Sequence, residues 1–336
     1  MRGFLLVCLS ALFACAVQRA APGTDPALTP EVGADTAAVP EVRCTAAPDA
    51  GPATGWRHTA SKLTARLGAP HHRGIDLIAT DDDATQILTG KLAYGITDKD
   101  LEDEDVELFA CSDGRWQPLG TARTDGDGRF SLALAGDARL PAGMRELRLS
   151  VTGDRTGAAF VALVAARGSA LVVSDVDGTL TASENAYLTA LVVGGAVAVQ
   201  PDAAATLRSL AARGYTVVYV SARGDRFTED TRDWLEANGF PRGPLRLPGA
   251  IVTLPGEDTI ELKTAALASL AAFEVEAGFG NRASDVSAYL AAGLPPERIF
   301  IKLPEFADEL AAPLAAGSAT GFATYGELLT SSLAGL

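Results

Sequence analysis

Two carboxylates stand one residue apart where an apolar run ends: in LVVSDVDGTLTASE, residues 171–184, Asp175 and Asp177 are followed by Gly178 and Thr179. Taken alone, an Asp-x-Asp at a strand end reads as a turn or a helix cap. Its meaning changes when other groups converge on it. A carboxylate approaches an anionic phosphate ester only where positive charge is supplied, and hydroxyl groups must take up the phosphoryl oxygens. Three further polar groups stand later in the chain: Ser221 after YTVVYV, Lys263 in ELKTAAL and Asp285 in GFGNRASD. Ser221 alone reads as a cap and Lys263 alone as a solvated helix residue, so these residues gain weight only as a set.

The elements around them must bring them to one place. ALVVSD (170–175) is a continuous apolar run ending in polar residues, as expected of a central parallel strand covered on both faces. Pro201 then opens a helix with Leu207, Leu210 and Ala211 on one side, and YTVVYV (215–220) is the next strand. A helix from about Thr228 to Asn238 stops at Gly239. A helix over Thr259 to Ala271, the strand FEVEAGF (273–279), a helix over 284–292 and the strand RIFI (298–301) continue the alternation. Repeated strand-helix units predict a doubly wound, Rossmann-like α/β domain with its ligands beyond the carboxyl ends of the strands. Asp175, Ser221 and the loop beginning at Gly280 all fall at such ends.

Asp175-Val176-Asp177-Gly178-Thr179 resembles the first motif of the haloacid dehalogenase (HAD) superfamily, and Ser221, Lys263 and Asp285 match its second, third and fourth motifs in order. The resemblance implies a catalytic set of Asp175, Asp177, Thr179, Ser221 and Lys263. In it Asp175 forms an aspartyl-phosphate and Asp177 acts as acid and base. It also implies Mg2+ held by Asp175, the backbone carbonyl of Asp177, Asp285 and Asn281. Gly178, Ala222, Arg223 and Arg282 would face the substrate, although loop arginines of this kind equally serve surface ion pairs. The intervals from Thr179 to Ser221 and from Ser221 to Lys263 are too short for a cap of domain size, so the site is expected to be open and suited to a bulky or membrane-bound phosphate.

DVDGTLTASE, GYTVVYVSAR, WLEANGFPRGPLRL and GFGNRASDVSAYLAAGLPPERIFI together resemble the catalytic domain of the lipins (the lipin/Ned/Smp type), which are magnesium-dependent phosphatidate phosphatases. They also resemble the related C-terminal domain of the retinal-degeneration-B type phosphatidylinositol transfer proteins. The likeness covers about residues 168–326. Some transfer-protein relatives lack the catalytic aspartates, and both are present here, so the resemblance implies a hydrolase converting phosphatidate, or a related lipid phosphate, to diacylglycerol and phosphate. A non-catalytic phosphatidate-binding or sensor module is one alternative, and a capless HAD phosphatase of non-lipid phosphomonoesters is the other.

The remaining sequence sets bounds. At 336 residues and 48% hydrophobic the chain has material for two domains, and its formal net charge of −14 offers no broad basic field for a nucleic acid. A short helical piece (His58 to Leu67) and a strand around Ile75 to Ile78 precede residues 84–166. There, QILTGKL, VELFAC, RFSLAL, ELRLSV and AAFVALV alternate with turn-forming stretches, predicting an antiparallel β-sandwich, immunoglobulin-like or transthyretin-like. TDGDGRF (124–130) has EF-hand-like spacing at Asp125 and Asp127, but the twelfth position is Gly136 where a Glu is required, which favours a hairpin turn. The acidic runs 81–83 and 101–107 read as solvated loops, His71-His72 as an exposed loop and Trp234 as core.

Arg2 and the apolar run Phe4 to Ala14 read as an export signal too short to span a bilayer. Leu12-Phe13-Ala14-Cys15 resembles a bacterial lipoprotein signal, making Cys15 a lipidation candidate. The expected location is exported and membrane-anchored, periplasmic or at the cell surface, and otherwise secreted, with no transmembrane span in the mature chain. The expected division is a signal over 1–15, a flexible Ala/Pro-rich tether over 16–55, the sandwich over 56–166 and the α/β domain over 167–336. Cys44 and Cys111 either pair in an oxidising compartment or stand as separate thiols.

Overall fold

The computed structural model describes residues 39–193, 196–249, 257–331, 333 and 336. Alternation in TQILTGK makes the strand Thr85–Lys91 half-buried, with Gln86, Leu88 and Gly90 inward. It pairs antiparallel with Arg73–Ile75 on one side and Arg129–Ala135 on the other. A larger sheet faces these three strands in the order Leu77–Thr80, Gly157–Ala165, Gly143–Val151, Asp105–Ser112, Arg115–Arg123. Between the sheets Leu88, Phe130 and Leu134 meet Leu108, Leu147, Leu149 and Phe160. The result is a β-sandwich, though not a wholly antiparallel one. Leu77–Thr80 runs parallel to Gly157–Ala165, and Glu41–Val42 runs parallel to Gly143–Val151.

The sheet of the α/β half is six-stranded and parallel throughout, in the order Leu245–Arg246, Thr216–Val220, Ala170–Asp175, Glu274–Gly280, Ile299–Lys302, Thr320–Phe322. Strand order reverses between Ala170–Asp175 and Glu274–Gly280, which opens a crevice at their carboxyl ends. Helices cover both faces. Leu267, Val286, Tyr289 and Leu310 pack on one face, while Leu207, Leu210, Leu235 and Leu328 pack on the other. This is the doubly wound, HAD-like arrangement.

The two halves share a core. Met144, Val161 and Leu163, on the outer face of the sandwich, join the same apolar cluster as Leu171, Val173, Val218 and Leu270 of the α/β half. Double coverage explains why AAFVALV is a continuous apolar run rather than an alternating one.

Some expectations are decided and others change at this level. Cys44 and Cys111 form a disulfide across a sequence separation of 67. That bond and the Glu41–Val42 strand hold part of the expected tether on the sandwich. His72 is buried rather than exposed, because its ring packs edge-on against Tyr94 and its Nε2 bonds Thr156 Oγ1 at 2.8 Å. Glu104, placed by its acidic neighbours in a solvated loop, is fully buried and accepts the N–H groups of Arg57 and His58. In TDGDGRF the Asp125 carboxylate accepts the N–H groups of Asp127 and Arg129, closing a turn. Trp234 is half-buried, and its Nε1 donates to the Val197 carbonyl at 2.9 Å. No helix among the described residues is long and apolar enough to cross a membrane.

Candidate functional site

The strand Ala170–Asp175 delivers Asp175 at its carboxyl end, and the chain then turns sharply through Gly178, whose φ is +67°. A Cβ at Gly178 would lie 1.9 Å from Asn281 Nδ2, so both the backbone conformation and the space demand glycine. The turn is held by the Gly178 N–H donating to Thr181 Oγ1 at 2.8 Å. Thr179 Oγ1 donates to Asp175 Oδ2 at 3.1 Å. Lys263, carried by the helix Glu257–Ala268, donates from Nζ to Asp175 Oδ1 at 2.9 Å and also to Asp285 Oδ1. Asp285 lies in the first turn of the helix Ala283–Ala291, where its Oδ2 accepts the N–H groups of Asn281 and Arg282 at 3.0 Å each. Asp175, Thr179, Lys263 and Asp285 are therefore one directly bonded cluster.

Asp177 belongs to a second cluster beside it. Ser221 Oγ donates to Asp177 Oδ2 at 3.1 Å and accepts the Arg223 N–H at 3.1 Å. Arg223 forks onto the same carboxylate, with Nη2 to Oδ1 at 2.7 Å and Nε to Oδ2 at 2.9 Å. Its remaining Nη1 donates to Thr231 Oγ1, and its guanidinium lies 3.8 Å over the Tyr187 ring. Both oxygens of Asp177 are thus taken in a rigid bidentate pair. Ala222 is half-buried in the same turn. Arg282 pairs mainly with Glu309 at 2.9 Å and stacks on Phe306 at 3.9 Å, and its Nη1 also lies 3.8 Å from Glu184 Oε1.

Sequence reasoning missed Glu184 and Tyr187. Glu184 accepts from Asn281 Nδ2 at 2.8 Å, which places a fourth carboxyl group at the site. Asp175 is only 4% exposed and Ser221 fully buried, whereas the Asp177 side chain keeps 16% of its surface exposed.

The site is short of positive charge. Burial pushes the Asp175 carboxyl well above its usual range, Lys263 pulls it back without offsetting that effect, and Asp285 and Glu184 add to the rise. Burial likewise raises Glu184 against the opposing Asn281 hydrogen bond and Lys263 charge. Burial alone would lower Lys263, but its two carboxylate partners outweigh burial and hold the ammonium charged. One ammonium between two carboxylates leaves negative charge to be met. Asn281 Oδ1 is buried with no hydrogen-bond partner. That oxygen, the Asp175 and Asp285 carboxylates and the main-chain carbonyl of Asp177 make an all-oxygen donor set of the kind a hard cation prefers. Among the described residues no trio of His, Cys, Asp and Glu side chains is grouped to hold a metal ion, so a cation here would need the amide and main-chain oxygens as well.

Two family models match the chain. The LNS2 domain of PITM 1-3 matches residues 172–302, and the β-sandwich domain of PITM 1-3 matches residues 70–164. Membrane-associated phosphatidylinositol transfer protein 3 of Mus musculus is 30% identical over 264 residues, covering 76% of this chain and 26% of that protein. Membrane-associated phosphatidylinositol transfer protein 1 of Homo sapiens is 30% identical over 258 residues, covering 74% of this chain and 20% of that protein. Protein retinal degeneration B of Drosophila melanogaster is 27% identical over 257 residues, with coverage of 74% and 20%. The chain thus spans about a quarter or less of the length of these relatives. A class C acid phosphatase from Bacillus anthracis with tungstate bound superposes with a TM-score of 0.31 at 15% identity, covering 46% of this chain and 65% of that one, an overlap too loose to bear on function.

These matches overturn the lipin-like phosphatidate phosphatase reading. The relatives are named for lipid transfer and not for hydrolysis, and neither the hydrolase assignment nor its sensor and non-lipid phosphatase alternatives fits them well. The physical reason is that the motif set is suited to gripping phosphate and does not by itself require turnover. Here Asp177, the expected proton carrier, has both oxygens occupied by Arg223 and Ser221. The exported-lipoprotein reading is overturned with it, since the matched relatives are named membrane-associated transfer proteins. Cys15 and the expected signal lie outside the described residues.

Proposed function

We propose that this chain is a phospholipid-binding module that works at a membrane surface and grips a phosphorylated headgroup at the carboxyl ends of its parallel strands. The tandem match carries this reading: a β-sandwich and then an LNS2 domain, in the order found along membrane-associated phosphatidylinositol transfer proteins. Within the site, the Thr179 and Ser221 hydroxyls and the Lys263 ammonium are donors suited to phosphoryl oxygens, and each is already held by a carboxylate. An anionic headgroup entering this set needs a compensating cation. Mg2+ on Asp175, Asp285, Asn281 Oδ1 and the Asp177 carbonyl is the proposed one, and bound there it would supply positive charge for the phosphate.

Vesicle co-sedimentation of the full chain tests the reading. Phosphatidylcholine vesicles carrying phosphatidylinositol or phosphatidate separate an inositol phosphodiester from a phosphomonoester as the recognised headgroup. The expected result is binding to at least one of them over phosphatidylcholine alone, strengthened by Mg2+ and without release of inorganic phosphate. In the same buffers Mg2+ should raise the melting temperature of the wild type more than that of Asn281→Leu. Equal binding to all vesicles, or phosphate release, would overturn the reading.

A further inference from the structure

We infer that the exposed apolar side chains of Leu63, Leu67 and Ile96, flanked by Lys62 and Arg66, form the surface that seats this protein on an anionic phospholipid bilayer. The inference rests on the proposed lipid-binding function and names where the bilayer is met. Leu63, Leu67 and Ile96 are 65%, 55% and 86% exposed, and they are three of the five large apolar side chains so exposed among the described residues. The helix Thr59–Thr64 continues in helical turns, with the Arg66 N–H on the Leu63 carbonyl and the Leu67 N–H on the Thr64 carbonyl. Leu63 and Leu67, with Lys62 and Arg66 beside them in the chain, are all exposed along this short helix and the turns that follow it. Ile96 is brought to the same place by the chain pairing next to it. The Gly95 N–H donates to the Ala69 carbonyl, and a Cβ on Gly95 would stand 3.1 Å from Leu67 Cβ.

Charge identifies the partner. In a chain of formal net charge −14, Lys62 and Arg66 are exposed and pair with no carboxylate among the described residues. The acidic residues of the flanking loops are already engaged, Asp98 by Arg73 and Asp103 by Arg57 and His58. Exposed apolar side chains beside uncompensated basic ones are what an anionic bilayer accepts: the apolar side chains enter the acyl boundary and the cations meet headgroups. The place is also apt. The Ile96 carbonyl accepts from Arg226 Nη1 at 3.1 Å, and Arg226 belongs to the loop that carries Ser221 and Arg223 to the site.

The test uses the full chain in three forms: wild type, Leu63→Ser/Leu67→Ser/Ile96→Ser, and Lys62→Glu/Arg66→Glu. Each is measured on phosphatidylcholine vesicles containing phosphatidylinositol, and each is titrated with short-chain phosphatidylinositol below its micellar concentration. The serine variant should lose at least tenfold in vesicle affinity, about 1.4 kcal/mol, and keep short-chain lipid binding unchanged. The glutamate variant should lose vesicle binding most at low salt, where surface charge acts furthest. Unchanged vesicle binding in both variants overturns this surface while leaving the headgroup reading standing. A wild-type dimer in sedimentation velocity that the serine variant dissociates would assign the face to a second copy of the chain and overturn the inference as well. Failure of the wild type on both vesicles and short-chain lipid overturns the two readings together.

Discussion

At the scale of single residues, the structure shows how far burial outweighs composition. His72 sits beside a second histidine in a polar stretch, yet it is enclosed, and burial pushes its imidazole down to about 4 against the pull of the Asp154 carboxylate. A depressed folded-state value means that the unfolded chain takes up the proton first. The contribution is therefore fully present above the ordinary histidine value of 6.5 and is lost as pH falls toward about 4. The expected size is about 3 kcal/mol over that window. His72→Gln should flatten this part of the profile, so the difference in urea-unfolding free energy between wild type and variant should shrink from pH 7 to pH 4.5. A constant difference would show that His72 titrates alike in both states. The site residues were legible for a different reason: Asp175, Ser221 and Asp285 stand where an element begins or ends, and together with Lys263, inside a helix, they follow a known order. Glu184 and the inward turn of Arg223 were not legible, because nothing in their spacing says that Asn281 or Asp177 would be the partner.

At the scale of elements, legibility followed length and coverage. ALVVSD and YTVVYV declare themselves because both faces are buried and each apolar run fills a whole strand. Leu245–Arg246 and Thr320–Phe322 are too short for any period to register. Arg115–Arg123 was missed because it is an edge strand with most side chains in solvent, and it carries Pro118 and Gly120. The N-terminal strand Glu41–Val42 is shorter still and relies on attachment from outside itself. Trp116 Nε1 donates to the Ala46 carbonyl, and the Cys44–Cys111 disulfide closes a loop across a sequence separation of 67. Loop-closure entropy for that span is worth about 4 kcal/mol. A Cys44→Ser/Cys111→Ser variant, or the reduced wild type, should consequently melt lower by roughly 10 °C. An unchanged melting temperature under reducing conditions would mean that the segment contributes nothing to the fold.

At the scale of the whole molecule, the described residues of the sandwich and the α/β half form one compact unit. Their joint holds polar connections as well as shared apolar packing. Arg73 of the sandwich donates two hydrogen bonds to Asp98 and approaches Asp225 at 2.9 Å, so the loop bearing Ser221 and Arg223 is tied to a strand from the other half. Asp76 goes further. Its fully buried carboxylate accepts the Val161 N–H of the sandwich, the Leu245 N–H of the parallel sheet and Arg232 Nη2 at 2.7 Å, while its main-chain carbonyl accepts Arg246 Nη1. Asp76→Ala would leave an inward-facing arginine and two buried N–H groups without partners, a loss of about 3–5 kcal/mol. Because Val161 and Leu163 occupy the same core as Leu171 and Val173, that loss should not release one half alone. The expected result is a single denaturant transition, coincident by far-ultraviolet circular dichroism and tryptophan fluorescence in both proteins, with its midpoint shifted down in the variant. Two separated transitions in the wild type would contradict a shared core and leave the sandwich as a neighbour rather than a structural part of the lipid site.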